Sequence, residues 1–117
     1  MQNFVILVDE ADHQVGTSEK LSAHQQGLLH RALSVCIFRT VDNELEALLQ
    51  QRAADKYHSA NLWTNTCCSH PLPGETVLGA AHRRLQEEFG FTASLQVAGN
   101  FIYKAKLDHD LIEYEFD

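Results

Sequence analysis

The segment Glu75–Phe91, ETVLGAAHRRLQEEFGF, decides the fold prediction, because its pattern is that of an amphipathic helix. Its apolar residues recur at intervals of three and four, which places four of them on one helix face: Leu78, Ala81, Leu85 and Phe89. Pro73 and Gly74 precede the segment, and Gly90 is suited to the left-handed conformation at a helix end. We therefore predict one helix from Glu75 to Phe89, packed by its apolar face on the rest of the domain.

Strand-like segments flank this helix on both sides. They are short, rich in apolar residues and separated by turn signals: residues 3–8, 34–38, 44–51, 95–98, 101–107 and 111–117. The turns fall at Asp9–His13, Thr40–Asn43 and Asp108–Asp110, and residues 55–60 have the composition of a loop. The pattern predicts an α+β domain whose strands are joined mainly by hairpins, with the helix packed on the sheet.

Composition restricts the class of protein and the kind of partner. A chain of 117 residues with 44% hydrophobic and 21% charged residues fits one soluble globular domain, which we assign to residues 1–117. The longest apolar runs, Phe4–Val8 and Val35–Phe38, are too short to cross a bilayer. The net charge of −7 argues against nucleic acid as a partner. The three cysteines indicate no disulfide framework and favour the reducing cytoplasm.

Charged residues on the predicted helix form a chemical pattern. Glu75, Arg83, Glu87, Glu88 and Gly90 stand at the spacing of the Nudix box, so the segment resembles that motif. Such a helix edge gathers carboxylate oxygens, which suit Mg²⁺, and the cation in turn bridges the oxygens of a diphosphate. The simpler alternative is a solvated helix face on which Arg83 and Glu87 form an ordinary i,i+4 pair.

Two positions depart from the Nudix box and change what it predicts. Ser69 stands where the motif begins with glycine, and Arg84 stands where most Nudix hydrolases carry a catalytic glutamate. A guanidinium in place of that carboxylate removes an acidic metal ligand and adds a donor for phosphate oxygens. The pattern therefore favours the binding of an intact diphosphate over its hydrolysis.

A second stretch, Asn61–Glu75 (NLWTNTCCSHPLPGE), raises the question whether its cysteines and histidine form a metal site, a nucleophile or only packing. Together with Arg84, Glu113 and Glu115, this stretch resembles type I isopentenyl diphosphate isomerase. The resemblance runs along the whole chain and implies a Nudix-type α/β/α sandwich with a mixed, mainly antiparallel sheet. Members of that family continue well beyond the position of Asp117. We therefore expect this chain to lack a C-terminal portion and, alone, to be poorly active or prone to aggregation.

The resemblance implies a role for each matching residue. The implied catalytic residues are Cys68, Glu115 and Tyr103, whereas Cys67 falls on a variable position. The implied ligands of one Zn²⁺, Mn²⁺ or Mg²⁺ ion are His24, His30, His70, Glu113 and Glu115. Glu88 matches the residue that binds Mg²⁺ together with the substrate diphosphate. The implied basic residues that bind the diphosphate are Lys20, Arg52, Lys56 and Arg84.

Strand alternation supports part of this site independently. Glu113 and Glu115 point to the same side of a strand, while the apolar residues between and beside them point to the other. Three histidines and two carboxylates form a ligand set without an obligatory thiolate, which suits Zn²⁺, Mn²⁺ or Mg²⁺. Any one of these residues alone is better explained as packing or surface charge. Their simultaneous fit along the chain favours a site.

The reaction that the resemblance implies is the interconversion of isopentenyl diphosphate and dimethylallyl diphosphate in isoprenoid biosynthesis. Glu115 and Cys68 would exchange protons with opposite faces of the double bond, through a tertiary carbocation. The expected partner is a small isoprenoid diphosphate, with no nucleic acid or membrane, and the expected state is a monomer or weak dimer. Two alternatives stay open: a Nudix hydrolase of a nucleoside diphosphate derivative, and a non-catalytic metal-binding module.

Overall fold

The computed structural model of the chain describes residues 3–55 and 60–117. Its helices are α1 (Lys20–Gln26) and α2 (Val77–Phe89), with a 3₁₀ turn at Asp108–Asp110. Its strands are β1 (Phe4–Val8), β2 (Gln14–Glu19), β3 (His30–Arg31), β4 (Leu33–Val35), β5 (Phe38–Val41), β6 (Glu44–Ala47), β7 (Gln50–Gln51), β8 (Trp63–Thr64), β9 (Cys67–Ser69), β10 (Ile102–Lys106) and β11 (Ile112–Phe116). Neither helix is long and apolar enough to cross a membrane, a finding that covers the described residues.

The largest sheet has five strands in the order β10-β11-β3-β1-β2. Neighbours in this sheet are antiparallel except β11 and β3, which run parallel. Three further pairs, β4-β9, β5-β6 and β7-β8, form antiparallel two-stranded sheets. The prediction of an α+β fold with a mixed, mainly antiparallel sheet is therefore confirmed.

The two helices pack on different sheets. α1 contacts β11, β2 and β1 of the five-stranded sheet, and α2 contacts the β4-β9 pair. The core beneath α2 consists of small and branched side chains: Leu33, Val35, Cys67, Ala80 and Ala81. Ala32 alone separates β3 from β4, and its N–H donates to the carbonyl oxygen of Phe116 at 2.9 Å. At Ala32 the chain thus passes directly from the five-stranded sheet, which contains β11, to the β4-β9 pair.

A cap and an ion pair determine where α2 begins. The hydroxyl of Thr76 accepts a hydrogen bond from the main-chain N–H three residues later, at 3.0 Å. Glu75 accepts two hydrogen bonds from the guanidinium of Arg83, at 2.7 and 2.9 Å, and so holds the preceding turn against the helix. Gly90 ends the helix with a φ of 73°, as predicted. The predicted helix is confirmed, with its first residue at Val77.

Several local predictions differ from the structure. Strands β2, β3, β8 and β9 were not predicted, and the predicted strand at residues 44–51 is divided into β6 and β7. Helix α1 was not predicted, because only Ala23 and His24 of its seven residues are buried, too few to show a period. The predicted strand at residues 34–38 ends at Val35. The predicted strand at residues 95–98 is wrong. The sequence does alternate between apolar and polar residues there, but Val97 is exposed and the segment pairs with no strand among the described residues.

Replacing Leu85 by alanine should lower the free energy of unfolding by about 2–5 kcal/mol, because this side chain of α2 is fully buried. Leu78 lies on the same helix but is 40% exposed, so Leu78→Ala is a matched control with an expected loss below about 1 kcal/mol. Urea denaturation followed by circular dichroism measures both values. Equal losses would show that α2 does not pack on the domain by the face that carries Ala81 and Leu85.

Candidate functional site

Four side chains from four separate segments converge beside the five-stranded sheet. His24 lies on α1, His30 on β3 and Glu115 on β11, while His70 directly follows β9. Their ring nitrogens and carboxylate oxygen all lie within 4.8 Å of one another. His24, His30 and Glu115 are buried, and the side chain of His70 is 16% exposed. We call these residues the His/Glu cluster.

Strand pairing and a tight turn assemble the His/Glu cluster. The parallel pairing of β11 with β3 places Glu115 opposite His30. α1 ends at Gly27 with a φ of 67°, and the chain then reverses so that the rings of His24 and His30 lie 5.1 Å apart. A side chain at Gly27 would meet Ile112 at 3.3 Å, so both conformation and space require glycine at this turn.

Hydrogen bonds to the main chain determine which nitrogen carries the proton in two of the histidines. His24 Nδ1–H donates to the carbonyl of Lys20 at 2.8 Å, and His30 Nδ1–H donates to the carbonyl of Leu28 at 2.9 Å. Because a carbonyl only accepts, each neutral ring carries its lone pair on Nε2. His30 Nε2 lies 3.3 Å from His70 Nε2, and both lie within 3.3 Å of Glu115 Oε2, so a proton or a cation is needed among these three atoms to hold them together. The donor set therefore fits a divalent cation.

Glu115 carries the negative charge of the cluster. Its Oε2 lies 2.9 Å from His70 Nε2 and 3.3 Å from His30 Nε2. Burial alone would raise its pKa, but hydrogen bonds with His30 and His70 lower the pKa of Glu115 to about 2. Burial lowers the pKa of His70 to about 4, although Glu115 opposes the shift. At neutral pH the cluster therefore offers an ionised carboxylate beside the neutral imidazole of His70.

Tyr103 joins the two carboxylates of β11. Its hydroxyl is hydrogen-bonded to Glu113 and lies 2.8 Å from Oε1 of Glu115, its direct neighbour on the paired strand. Burial, together with the charge of Glu115, raises the pKa of Glu113 to about 7. A protonated Glu113 can donate to the phenol oxygen while Tyr103 donates to Glu115. Glu113 thus reaches the His/Glu cluster through Tyr103 and lies outside the group of four itself.

A cavity of about 680 Å³ opens beside the His/Glu cluster. Its lining includes most of the residues that the sequence analysis singled out: Lys20, Arg52, Cys68, His70, Arg84, Glu88, Tyr103, Glu113 and Glu115. His24 and His30 lie buried behind this wall. Lys56 lies outside the described residues. The structure therefore brings acidic, basic and thiol groups from distant parts of the chain to one cavity.

Arg84 connects α2 to this cavity wall. Its Nε donates to Ser69 Oγ at 3.1 Å, and its terminal nitrogens bond to Glu87 at 2.9 Å and to Glu88. Gln50 donates to the other oxygen of Glu88 at 3.2 Å. Glu87 also accepts from Arg83 at 2.9 Å, so two guanidinium groups and three carboxylates, those of Glu75, Glu87 and Glu88, form one network beside the cavity.

The two adjacent cysteines have different surroundings, because side chains alternate along β9. Cys67 is 1% exposed in the core beneath α2, whereas Cys68 lines the cavity. Although Cys68 is exposed as a residue, the surrounding protein desolvates its sulfur, and this burial raises the pKa of the thiol. The neutral thiol therefore predominates at neutral pH.

Ser34 and Asp117 are polar residues of the cavity wall that the sequence analysis did not single out. Ser34 occupies the exposed position between two buried residues of β4, and Asp117 continues the period of two that Glu113 and Glu115 begin. Ser34 Oγ donates to Asp117 Oδ2 at 3.0 Å. Alternation was the available signal for both residues, but only the pairing of β4 with β9 reveals that Ser34 lies opposite Cys68.

Comparison with known proteins gives consistent matches. Residues 29–114 match the NUDIX domain family. The isopentenyl-diphosphate Delta-isomerase of Serratia proteamaculans is 56% identical over 117 residues, which are 100% of this chain and 64% of that protein. Isopentenyl-diphosphate Delta-isomerase 2 of Photorhabdus laumondii is 52% identical over the same shares. The isopentenyl-diphosphate Delta-isomerase of Aliivibrio fischeri is 50% identical over 121 residues, covering 100% of this chain and 67% of that protein.

In metal-free protein, two residues of this region should make stability depend on pH in opposite ways. His70 has a pKa of about 4 when folded and 6.5 when unfolded, so the unfolded chain binds more protons in that window and stability falls as the pH falls. For Glu113, raised from 4.5 to about 7, the folded chain binds more protons, so its contribution is lost as the pH rises. We expect His70→Gln to reduce the first dependence and Glu113→Gln the second.

Urea denaturation midpoints test this prediction. They are measured in EDTA at pH values between the folded and unfolded pKa of each residue, about 4 to 6.5 for His70 and 4.5 to about 7 for Glu113. The variants are compared with the unmodified chain at each pH, so that contributions shared by all three proteins cancel. Parallel curves for the three proteins would contradict the pKa shifts of His70 and Glu113.

Proposed function

The chain belongs to the NUDIX family and, within it, to the isopentenyl-diphosphate Delta-isomerases, and we propose that it interconverts isopentenyl diphosphate and dimethylallyl diphosphate. The observation that carries the proposal is the shared cavity, where Glu115 and Tyr103 on one sheet and Cys68 on another line the same space. Moving a double bond by one carbon requires one proton added and one removed, and these groups are suited to both steps. The chain spans 64% of the length of the Serratia relative, whose name supports the assignment.

We assign proton delivery to Glu115 and Tyr103. Tyr103 is hydrogen-bonded to both Glu113 and Glu115 and can pass a proton to Glu115. Glu115, once protonated, would deliver that proton to the terminal alkene carbon of isopentenyl diphosphate. The new C–H bond takes the π electrons and leaves a tertiary carbocation, which the nearby carboxylate charge stabilises.

We assign proton removal to Cys68. Its thiolate would accept a proton from the methylene beside the cation and become the thiol, and the electron pair of that C–H bond would form the new double bond. In the reverse direction the neutral thiol is the donor, and its raised pKa fits that role. Substrate and product contain the same atoms, and Glu115 and Cys68 would recover their starting protonation states by proton exchange with water.

The basic side of the cavity would bind the diphosphate. Lys20, Arg52 and Arg84 line it, and a guanidinium fork matches two phosphate oxygens at once. We extend this role to Lys56, from the resemblance, and propose that Glu88 holds Mg²⁺ together with the diphosphate. The arrangement would keep the charged end of the substrate apart from the reacting carbons.

We propose that the His/Glu cluster holds one divalent cation, with Glu113 as a further ligand. The support is the donor set: lone pairs on the Nε2 atoms of His24 and His30 and an ionised Glu115 within 4.8 Å of one another. When bound, the cation supplies positive charge that polarises the carboxyl group of Glu115.

All three cysteines are free thiols, which agrees with a cytoplasmic enzyme.

Metal binding is tested without substrate. EDTA-treated protein titrated with MnCl₂ or ZnCl₂ in a calorimeter should bind one ion per chain at this site, and His30→Ala should abolish that binding because it removes a buried ligand. His13→Ala is the matched control, since the His13 side chain is 77% exposed and paired with Asp9. Equal binding by His30→Ala and the unmodified chain would exclude the cluster as the metal site.

Isomerisation is tested in heavy water. Protein supplied with isopentenyl diphosphate, Mg²⁺ and Mn²⁺ or Zn²⁺ should form dimethylallyl diphosphate that carries deuterium, measured by mass spectrometry. Cys68→Ala should reduce turnover by at least about 10²-fold, because it removes a proton-transfer group. Cys36→Ala is the matched control, because Cys36 is an exposed cysteine outside the cavity lining.

The same assay separates the alternatives. It is run on this chain and on a chain extended past Asp117 to the length of the relatives. Release of phosphate or of a nucleoside monophosphate, in place of isomerisation, would identify a hydrolase. If both this chain and the extended chain are folded and bind metal but show no turnover, the protein is a non-catalytic metal-binding module. Deuterium uptake that persists in Cys68→Ala would contradict the role of the thiol.

A further inference from the structure

Ser34 and Cys68 are direct cross-strand neighbours. They face each other in the antiparallel pairing of β4 with β9, so their side chains stand on the same face. Ser34 Oγ lies 4.0 Å from Cys68 Sγ, within the range of a long hydrogen bond to sulfur. Both residues line the cavity described above. The hydroxyl is therefore a polar neighbour of the thiol on the wall where substrate would lie.

The second contact of Ser34 determines the direction of this hydrogen bond. Its hydroxyl hydrogen is donated to Asp117 Oδ2 at 3.0 Å, and a carboxylate oxygen only accepts. Ser34 Oγ is then left with lone pairs towards Cys68, so the S–H of the thiol is the donor. Asp117 is itself held firmly, because its N–H and its carbonyl both bond to the main chain of Phe101 at 2.9 Å.

We infer that Ser34, anchored by Asp117, is a positioning residue that fixes the sulfur of Cys68 on the cavity wall, facing the space where the substrate would lie. This inference rests on the proposed isomerase function of the same cavity. Proton transfer between the sulfur and the methylene goes to the thiolate in one direction and from the thiol in the other, and it is efficient in both only along the line of the C–H bond.

Thr64 is a further hydroxyl neighbour of the thiol, but its surroundings differ. It lies close enough to Cys68 to lower the pKa of the thiol, and its hydroxyl hydrogen is directed to the main-chain carbonyls of Gln50 and Asn65, at 3.3 and 3.0 Å. Ser34 instead connects to a side chain that directly follows β11, the strand that carries Glu115. Through Asp117, Ser34 therefore connects Cys68 to the strand of Glu115, whereas Thr64 makes no such connection in its described contacts.

Infrared spectroscopy tests the hydrogen bond without any turnover. The S–H stretching band of Cys68 is identified by subtracting the spectrum of Cys68→Ala, and loss of a hydrogen bond moves such a band to higher frequency. Ser34→Ala should move the Cys68 band in that direction, and Ser34→Thr, which keeps the hydroxyl, should leave it in place. Ser22→Ala is the matched control, since this hydroxyl accepts from Gln26 at 2.7 Å outside the cavity lining.

Kinetics on the full-length enzyme test the consequence. Ser34→Ala should lower kcat by about ten- to a hundredfold while KM stays within about twofold, because the diphosphate-binding groups are untouched. Ser34→Thr should restore most of kcat. Asp117→Ala should act through the same contact, so that the double variant with Ser34→Ala is no slower than Ser34→Ala alone.

Two results would overturn the inference: an unmoved S–H band in Ser34→Ala, or a moved band with unchanged kcat. Additive losses in the double variant would show that Asp117 does not act through Ser34. If the band moves but the unmodified enzyme forms no dimethylallyl diphosphate, the isomerase proposal fails while the hydrogen bond itself stands. The two proposals are therefore distinguishable in one set of proteins.

Discussion

The parallel pairing of β11 with β3 is the contact on which the rest of the site depends, because it places an ionised Glu115 in the interior beside His30. A buried carboxylate is strongly unfavourable unless hydrogen bonds or opposite charge compensate it. Its nearest partners are imidazoles: Glu115 Oε2 lies 2.9 Å from His70 Nε2 and 3.3 Å from His30 Nε2. Compensation must therefore come from imidazole protons or a cation. Helix α1 and the turn at Gly27 are needed for this, since they bring His24 and His30 to the carboxylate.

The opposite side of the cavity meets a different electrostatic requirement. Arg84, Glu87 and Glu88 form ion pairs at the cavity surface, where water partly screens them and exchange of partners costs little free energy. Around Glu115, burial makes any rearrangement of charge expensive. Under the proposed function, the diphosphate would therefore bind on the α2 side, and proton transfer would fall to Glu115, Tyr103 and Cys68 on the strands. This division would keep the exchange of ion pairs on substrate binding away from the buried carboxylate.

Local periodicity predicted the elements whose own residues make the contacts. Helix α2 and its end at Gly90 followed from one apolar face, and the common orientation of Glu113 and Glu115 followed from strand alternation. The His/Glu cluster could not be found in this way, because its members are far apart in sequence and meet only through strand pairing and the α1 turn. The resemblance supplied them. Residues 95–98 show the converse error: the sequence alternates between apolar and polar residues there, yet the segment pairs with no strand in the part of the chain that the structure describes.

Glu113 and Glu115 stand two residues apart on one strand, yet their pKa values move in opposite directions. Glu115 faces two imidazoles, which stabilise its ionised form, whereas Glu113 is buried and repelled by the charge of Glu115. Ionisation of one carboxyl therefore keeps a proton on the other near neutral pH. Tyr103 reaches both because it lies directly opposite Glu115 in the β10-β11 pair. In the metal-free protein, a carboxyl group that holds a proton near neutral pH thus lies beside an ionised one because of the geometry of two antiparallel strands.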